Sequence, residues 1–261
     1  MIRFVHLFNY ACGITEGEEW YLGTHTAAAR KLPGVIGYRS WRGFDAGISY
    51  PSPGAPTPHD QFVRRSELQF ADVGSAVVAL KAEPGLWTPA ATGECGFREF
   101  ECMLLPEMPQ YDLLRDAPPQ HYKYMTLPLW WPSGPPEVDD SAPIFIDSYC
   151  IAYRQDISFA TGEDWYLGHH TREGKQLPGM KHYRTWRTIP VGEQLPPPLD
   201  LNRWTRLTEL GMSADAYRAT MVDDETRIRF TPSPFGPVIG RWLNIDIAPG
   251  AGEDLLAEAH R

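Results

Sequence analysis

The 261-residue chain carries 24 Lys and Arg against 33 Asp and Glu, for a net charge of −9, with 43% hydrophobic and 22% charged residues. These values suit a soluble globular protein of two domains, each of roughly 100–150 residues. The acidic balance argues against nucleic acid or an anionic membrane surface as a partner, and no apolar run of about 18 residues could span a bilayer.

The chain opens directly on MIRFVHLFNYA, an alternating stretch rich in β-formers that reads as a first strand over residues 2–11. It lacks a basic, apolar and cleavable leader pattern, so a cytoplasmic location is the expectation. A helix follows, with Thr15 placed to cap it and Glu16, Glu18 and Glu19 in a first turn where acids oppose the helix dipole. Tyr21, His25, Ala28 and Leu32 recur on one stripe of that helix, and Pro33-Gly34 stops it. Residues 35–44 read as a second strand, with Tyr38, Ser40 and Arg42 on one face and Arg39 and Trp41 on the other. After the Pro-rich loop 47–60 come a third strand (62–70), a second helix (73–82) and a fourth strand (97–105).

The same order recurs. Gly162–Arg187 repeats Gly17–Arg42 at a constant offset of 145, with 15 of 26 positions identical. Both copies keep Trp20/Trp165, Tyr21/Tyr166, His25/His170, Leu-Pro-Gly and Tyr38/Tyr183. The chain is therefore an internal duplication of whole domains. In the second copy the strands read as 144–154, 180–189, 204–212 and 241–248, with helices at 162–177 and 214–225 and another Pro-rich loop at 190–202. The domains run 1–105 and 144–250, joined by a Pro- and aromatic-rich linker, 106–143, that includes Trp130 and Trp131. A βαββαβ unit is the ferredoxin-like motif, an antiparallel sheet with both helices on one face. Two fused copies can pack their bare sheet faces together as an α+β barrel within one chain.

The pattern W-Y-x₃-H-x₆-L-P-G-x₃-Y resembles the signature of the EthD-like group of dimeric α+β barrel proteins, which carry a Tyr and a His on the first helix, then Leu-Pro-Gly, then a strand. The resemblance implies a self-dimerised tandem barrel. It also implies a superfamily rich in cofactor-free isomerases, cyclases, lyases and oxygenases acting on phenolic or quinone-like compounds, alongside haem-binding relatives.

His25 and His170 are the leading candidates for proton transfer, because imidazole titrates near neutrality and works without a metal. Tyr21 and Tyr166 would orient the imidazole or stabilise an oxyanion, while Tyr38 and Tyr183 face them from the second strand. The bland reading of each is core packing. The second copy adds Glu173 three residues after His170, where a carboxylate could raise the basicity of the ring, together with His169 and His182. It is the chemically richer half. Trp130 and Trp131 are candidates for substrate contact. Nothing matches GxGxxG, a P-loop, GxSxG or HExxH, and adjacent histidines make a poor metal clamp, so neither cofactor nor metal is expected. Cys12, Cys95, Cys102 and Cys150 show no CxxC spacing and read as reduced thiols.

These residues point to a cofactor-independent lyase or isomerase acting on a small phenolic molecule. The alternatives are a hydrophobic-metabolite binding protein, a cofactor-free oxygenase or a haem protein. A second copy of the tandem barrel is a candidate partner.

Overall fold

The computed structural model describes residues 1–43, 62–118, 129–131, 133–139, 141–192, 195–223, 226 and 230–256. The first Pro-rich loop and the linker stretch HYKYMTLP fall outside the described residues. In the first half, strands β1 (Ile2–Tyr10), β2 (Gly37–Arg42), β3 (Arg64–Phe70) and β4 (Phe97–Pro106) alternate with a helical run over residues 14–29 and a helix at Val73–Ala82. A two-residue strand, β5 (Tyr111–Asp112), leads into the second half. There β6 (Ile144–Tyr153), β7 (His182–Arg187), β8 (Arg206–Ser213) and β9 (Ile239–Ile247) alternate with helical runs over 159–174 and 214–222, and β10 (Glu253–Asp254) follows.

The strands form two five-stranded antiparallel sheets, ordered β10-β2-β3-β1-β4 and β5-β7-β8-β6-β9. Period-two alternation assigns the faces. In β1, Phe4, Phe8 and Tyr10 pack with Leu80 of the second helix, whereas Val5 and Leu7 turn to the other face. That second face meets the other sheet: Val5, Leu7, Met103 and Leu105 share one apolar cluster with Cys150, Leu207, Ile245 and Ile247. A backbone bond from Ile189 N–H to the Leu104 carbonyl (2.8 Å) also crosses between the halves.

Each half finishes the other's sheet. Tyr111 of β5 pairs with Thr185, and Glu253 of β10 pairs with Ser40, positions 145 apart in the strands they join. Leu113 and Leu255, one residue beyond each short strand, are both buried and donate to the carbonyls of Tyr183 and Tyr38. Two-residue strands have no periodicity to read, which is why neither is visible in the sequence.

Two readings need correction. The first helix is capped by extended Gly13, whose N–H donates to Glu16, and not by Thr15. Its second-half counterpart is capped by Ser158, which accepts from Thr161 N–H at 3.1 Å. Cys12 and Cys95 are joined in a disulfide that links the end of β1 to the approach to β4, so the expectation of four reduced thiols fails; Cys102 and Cys150 are free and buried. The pairing was invisible because the residues lie 83 positions apart and meet only once β1 and β4 are neighbours. No described helix is long and apolar enough to cross a membrane.

Candidate functional site

The repeated residues divide by what they touch. Gly17 and Gly162 let the first helix press onto β1 and onto β6, since a Cβ there would lie 2.2 Å from the Tyr10 ring and 2.5 Å from the Tyr153 ring. Glu18 accepts from Tyr10 (2.6 Å) and from buried Arg64; Glu163 accepts from Tyr153 (2.7 Å) and from buried Arg206. Gly34 and Gly179 take positive φ (75° and 76°) and end the helices. These positions hold the helix on the sheet.

Both helices carry a π turn at the motif, Tyr21–His25 and Tyr166–His170. The wider turn brings residues five apart onto one face, so Trp20 lies 5.5 Å from His25 and Trp165 stacks on His170 at 5.0 Å between ring centroids. It also shifts the inward stripe by one residue: Ala29 is buried and Ala28 exposed, against the α-helical expectation. Thr26 and Thr171 donate to the carbonyls of Leu22 and Leu167, supplying bonds to backbone that the wider turn displaces.

In the first half, Tyr21 and Tyr38 are buried and their hydroxyls meet at 3.0 Å, with Ser40 Oγ 3.2 Å from Tyr21. Arg64 lies over the Tyr21 ring at 4.9 Å. One turn on, His25 is 2% exposed, stacked on Tyr21 (5.4 Å) and edged by Phe97 (4.8 Å) and Trp87 (5.8 Å). The ring centroid of His6 of β1 lies 6.4 Å from it, itself ringed by Phe8, Phe97 and Phe100 at 4.7–4.8 Å. Both ring nitrogens of His6, Nδ1 of His25 and the Trp87 indole nitrogen are buried without a hydrogen-bond partner among the described residues. Burial pushes His25 down to about 3, and burial, then His25, holds His6 well below the ordinary histidine range. Both imidazoles are therefore neutral at pH 7. Burial raises the hydroxyls of Tyr21 and Tyr38 above the usual tyrosine range.

The second half builds the same frame and fills it differently. Tyr149 stands where His6 stands: it opposes Thr208 in β8 as His6 opposes Ser66 in β3, and Thr208 and Ser66 lie two residues after Arg206 and Arg64. Its hydroxyl meets Tyr166 (3.0 Å), which meets Thr208 (2.8 Å), which meets Thr185 (2.8 Å). Tyr183 is buried beneath the helix at Gly174, where a Cβ would come within 2.8 Å of its hydroxyl. His170 is half-buried between Trp165 and Phe230 and is pushed down to about 4 by burial and then by His169.

Glu173 does not serve His170. It lies 3.4 Å from Nε2 of His169 and accepts from the Thr231 backbone and hydroxyl, because the π turn carries His170 off the face that Glu173 occupies. His182 leaves the cluster altogether and bonds Glu209 at 2.9 Å. Trp131 packs with Phe145, Leu177 and Met212 on the outer side of the second half, and Trp130 is 62% exposed. The structure thus joins Tyr21, Tyr38 and His25, and joins Tyr166 and Tyr183 through Tyr149. It adds His6 and Tyr149, which the sequence analysis missed. The signal available for His6 was a lone imidazole alternating with Phe4 and Phe8 on one strand face.

No family model matches the sequence, and neither does any curated protein. Among solved structures the chain is similar to an "anthrone oxidase-like protein", at 9% identity over 97% of this chain and 93% of that one, with a TM-score of 0.48. It is also similar to a "putative monooxygenase from Lactobacillus acidophilus NCFM", at 9% identity over 95% and 92%, with a TM-score of 0.34. Likenesses of this size assign neither family nor chemistry.

Proposed function

We propose that the chain is a small-molecule enzyme of the tandem, ferredoxin-like α+β barrel type, working by proton transfer without a cofactor on a planar phenolic molecule, with a lyase or isomerase outcome. The first half is the active one. A single observation carries this reading: two neutral imidazoles, His6 and His25, share an aromatic box with buried nitrogens that no described residue satisfies. Each unsatisfied buried polar group costs about 1–3 kcal/mol, which a ligand hydroxyl or carbonyl would relieve. The ring faces of Phe97, Trp87 and Trp20 suit a planar aromatic guest.

His25 accepts the substrate proton and returns it to another atom. Its low pKa comes from burial, and an anion developing beside the ring opposes that burial, so the base strengthens as charge develops. His6 is the second acceptor, placed to relay or to orient the hydroxyl. The Tyr21 hydroxyl donates to Ser40 Oγ, meets the Tyr38 hydroxyl and keeps its proton throughout, positioning the helix turn that carries His25.

The test is a panel of one- to three-ring phenols followed by ultraviolet absorption with no cofactor added, on wild type and the His25→Gln and His6→Phe variants. Loss of a general base costs roughly 10²–10⁴-fold, so His25→Gln should remove turnover while binding persists. Binding without turnover in the wild type would make the chain a carrier. If neither variant alters binding or turnover, the box is core packing and the reading fails.

A further inference from the structure

The residues of the repeat that point away from the helices remain unexplained by that site. Arg39 and Trp41, with their counterparts Arg184 and Trp186, lie on the opposite sheet face, and all four line an open cleft of about 750 Å³ at the seam between the sheets. Glu67 and Glu209 enter it from equivalent positions of β3 and β8. The cleft therefore straddles the relation between the two halves and belongs to neither. Its volume lies within the roughly 300–1,000 Å³ of small-molecule sites.

The floor is a closed ion network. Arg3 donates to Glu67 at 3.0 Å, Arg65 donates to Glu67 and, at 2.8 Å, to both Glu209 and Ser148. All of these side chains are buried, so the floor is rigid and its charges are matched. Arg3 covers the Trp186 ring at 4.9 Å and Arg65 covers the Trp41 ring at 5.5 Å, which fixes both indoles.

Two of the donors lining this cleft are Trp186 and Arg39. Trp186 is 4% exposed and its indole nitrogen has no partner among the described residues. Arg39 makes no ion pair among the described residues, whereas Arg184 is faced by Asp112 at 3.6 Å. The difference follows from the exchanged edges: Asp112 of β5 lines the cleft, and Asp254, its counterpart opposite Arg39, does not. Ile146, Ile247 and Met108 add apolar wall. The vacant chemistry is one acceptor-rich, anionic group next to an apolar body.

We propose that this seam cleft is a second ligand site, separate from the helix–sheet box, and that it takes a small aromatic monocarboxylate. The carboxylate sits between the Arg39 guanidinium and the Trp186 indole N–H, with its ring against Ile146, Ile247 and Met108.

The experiment is calorimetric titration of the full chain with 2-naphthoate and with its neutral amide, 2-naphthamide. Wild type should bind the carboxylate at least about tenfold more tightly, as a charge-assisted bond is roughly twice as strong as a neutral one. Arg39→Ala, at an exposed position, should remove that preference, and Trp186→Phe should weaken the carboxylate several-fold. His25→Gln should leave 2-naphthoate binding unchanged, which separates this site from the proposed active one. Equal binding of acid and amide, or loss in His25→Gln with none in Arg39→Ala, overturns the proposal.

Discussion

Both halves lay a π-turn helix on the same sheet face, and they part company at one strand position, His6 in the first and Tyr149 in the second. A tyrosine hydroxyl both donates and accepts, so Tyr149 closes a chain through Tyr166, Thr208 and Thr185, although Trp165 Nε1 and His170 Nδ1 beside it stay unpartnered among the described residues. An imidazole among Phe8, Phe97 and Phe100 finds no hydrogen-bond partner among the described residues. The frame is the same, and the strand position under the helix is hydrogen-bonded in the second half and unpartnered, among the described residues, in the first. The residues kept in both copies hold the scaffold together, while the difference between the copies is what the proposed site rests on.

The sharpest break of this comparison is kinetic. With the phenol that turns over fastest, His25→Gln should cost roughly 10²–10⁴-fold in kcat, and His170→Gln less than about tenfold. The reverse ranking would move the site to the second half, where His170 is only half-buried.

The next effect is on stability. Arg64 is fully buried between Glu18 (2.5 Å) and Glu253 (2.7 Å), while Arg206 has Glu163 (2.6 Å) and the neutral Gln110. Breaking a buried pair costs about 3–5 kcal/mol. In urea denaturation Arg64→Met should be the more damaging, because it strands two carboxylates and also loosens the C-terminal strand. Equal losses would show that Glu253 contributes nothing through this contact.

Only the first half is cross-linked. Cys12→Ser should lower stability by about 2–4 kcal/mol, and reduction of the wild type should lower it to the same level. A variant indistinguishable from the oxidised wild type would show that the β1–β4 pairing needs no covalent support.

The last comparison is in pH dependence. His170 is pushed down to about 4 when folded against about 6.5 when unfolded, so between those values the unfolded chain binds more protons and stability falls as the pH falls. Each such histidine contributes a slope of about 1.4 kcal/mol per pH unit. His170→Phe should flatten the dependence by that amount between roughly pH 6 and 4.5, and His25→Phe should do so down to about pH 3.5. A slope unaltered by both changes would mean the rings are not buried neutral in solution.

The element order was legible because strand alternation and Pro-Gly stops are local, and the duplication allowed each half to check the other. The site was only partly legible. Tyr21, Tyr38 and His25 could be joined from spacing, since a helix stripe and the strand after it must share a face. Glu173 could not be placed beside His169, because a π turn alters the residue count per turn without leaving a compositional mark. His6 could not be joined to His25 at all, since nothing between them in sequence encodes that β1 lies under that helix at that register.

The sequence by itself determined the internal repeat, the order of strands and helices and the net acidic charge, all of which follow from composition and short-range pattern. The tertiary structure alone decided which nitrogens go without partners, that Cys12 meets Cys95, that β10 completes the first sheet and β5 the second, and that Arg39 and Trp186 face one cleft. Those depend on register and on packing between segments 70 or more residues apart. Side-chain chemistry is written in the chain, but a side chain's partners exist only once the sheets have closed on each other.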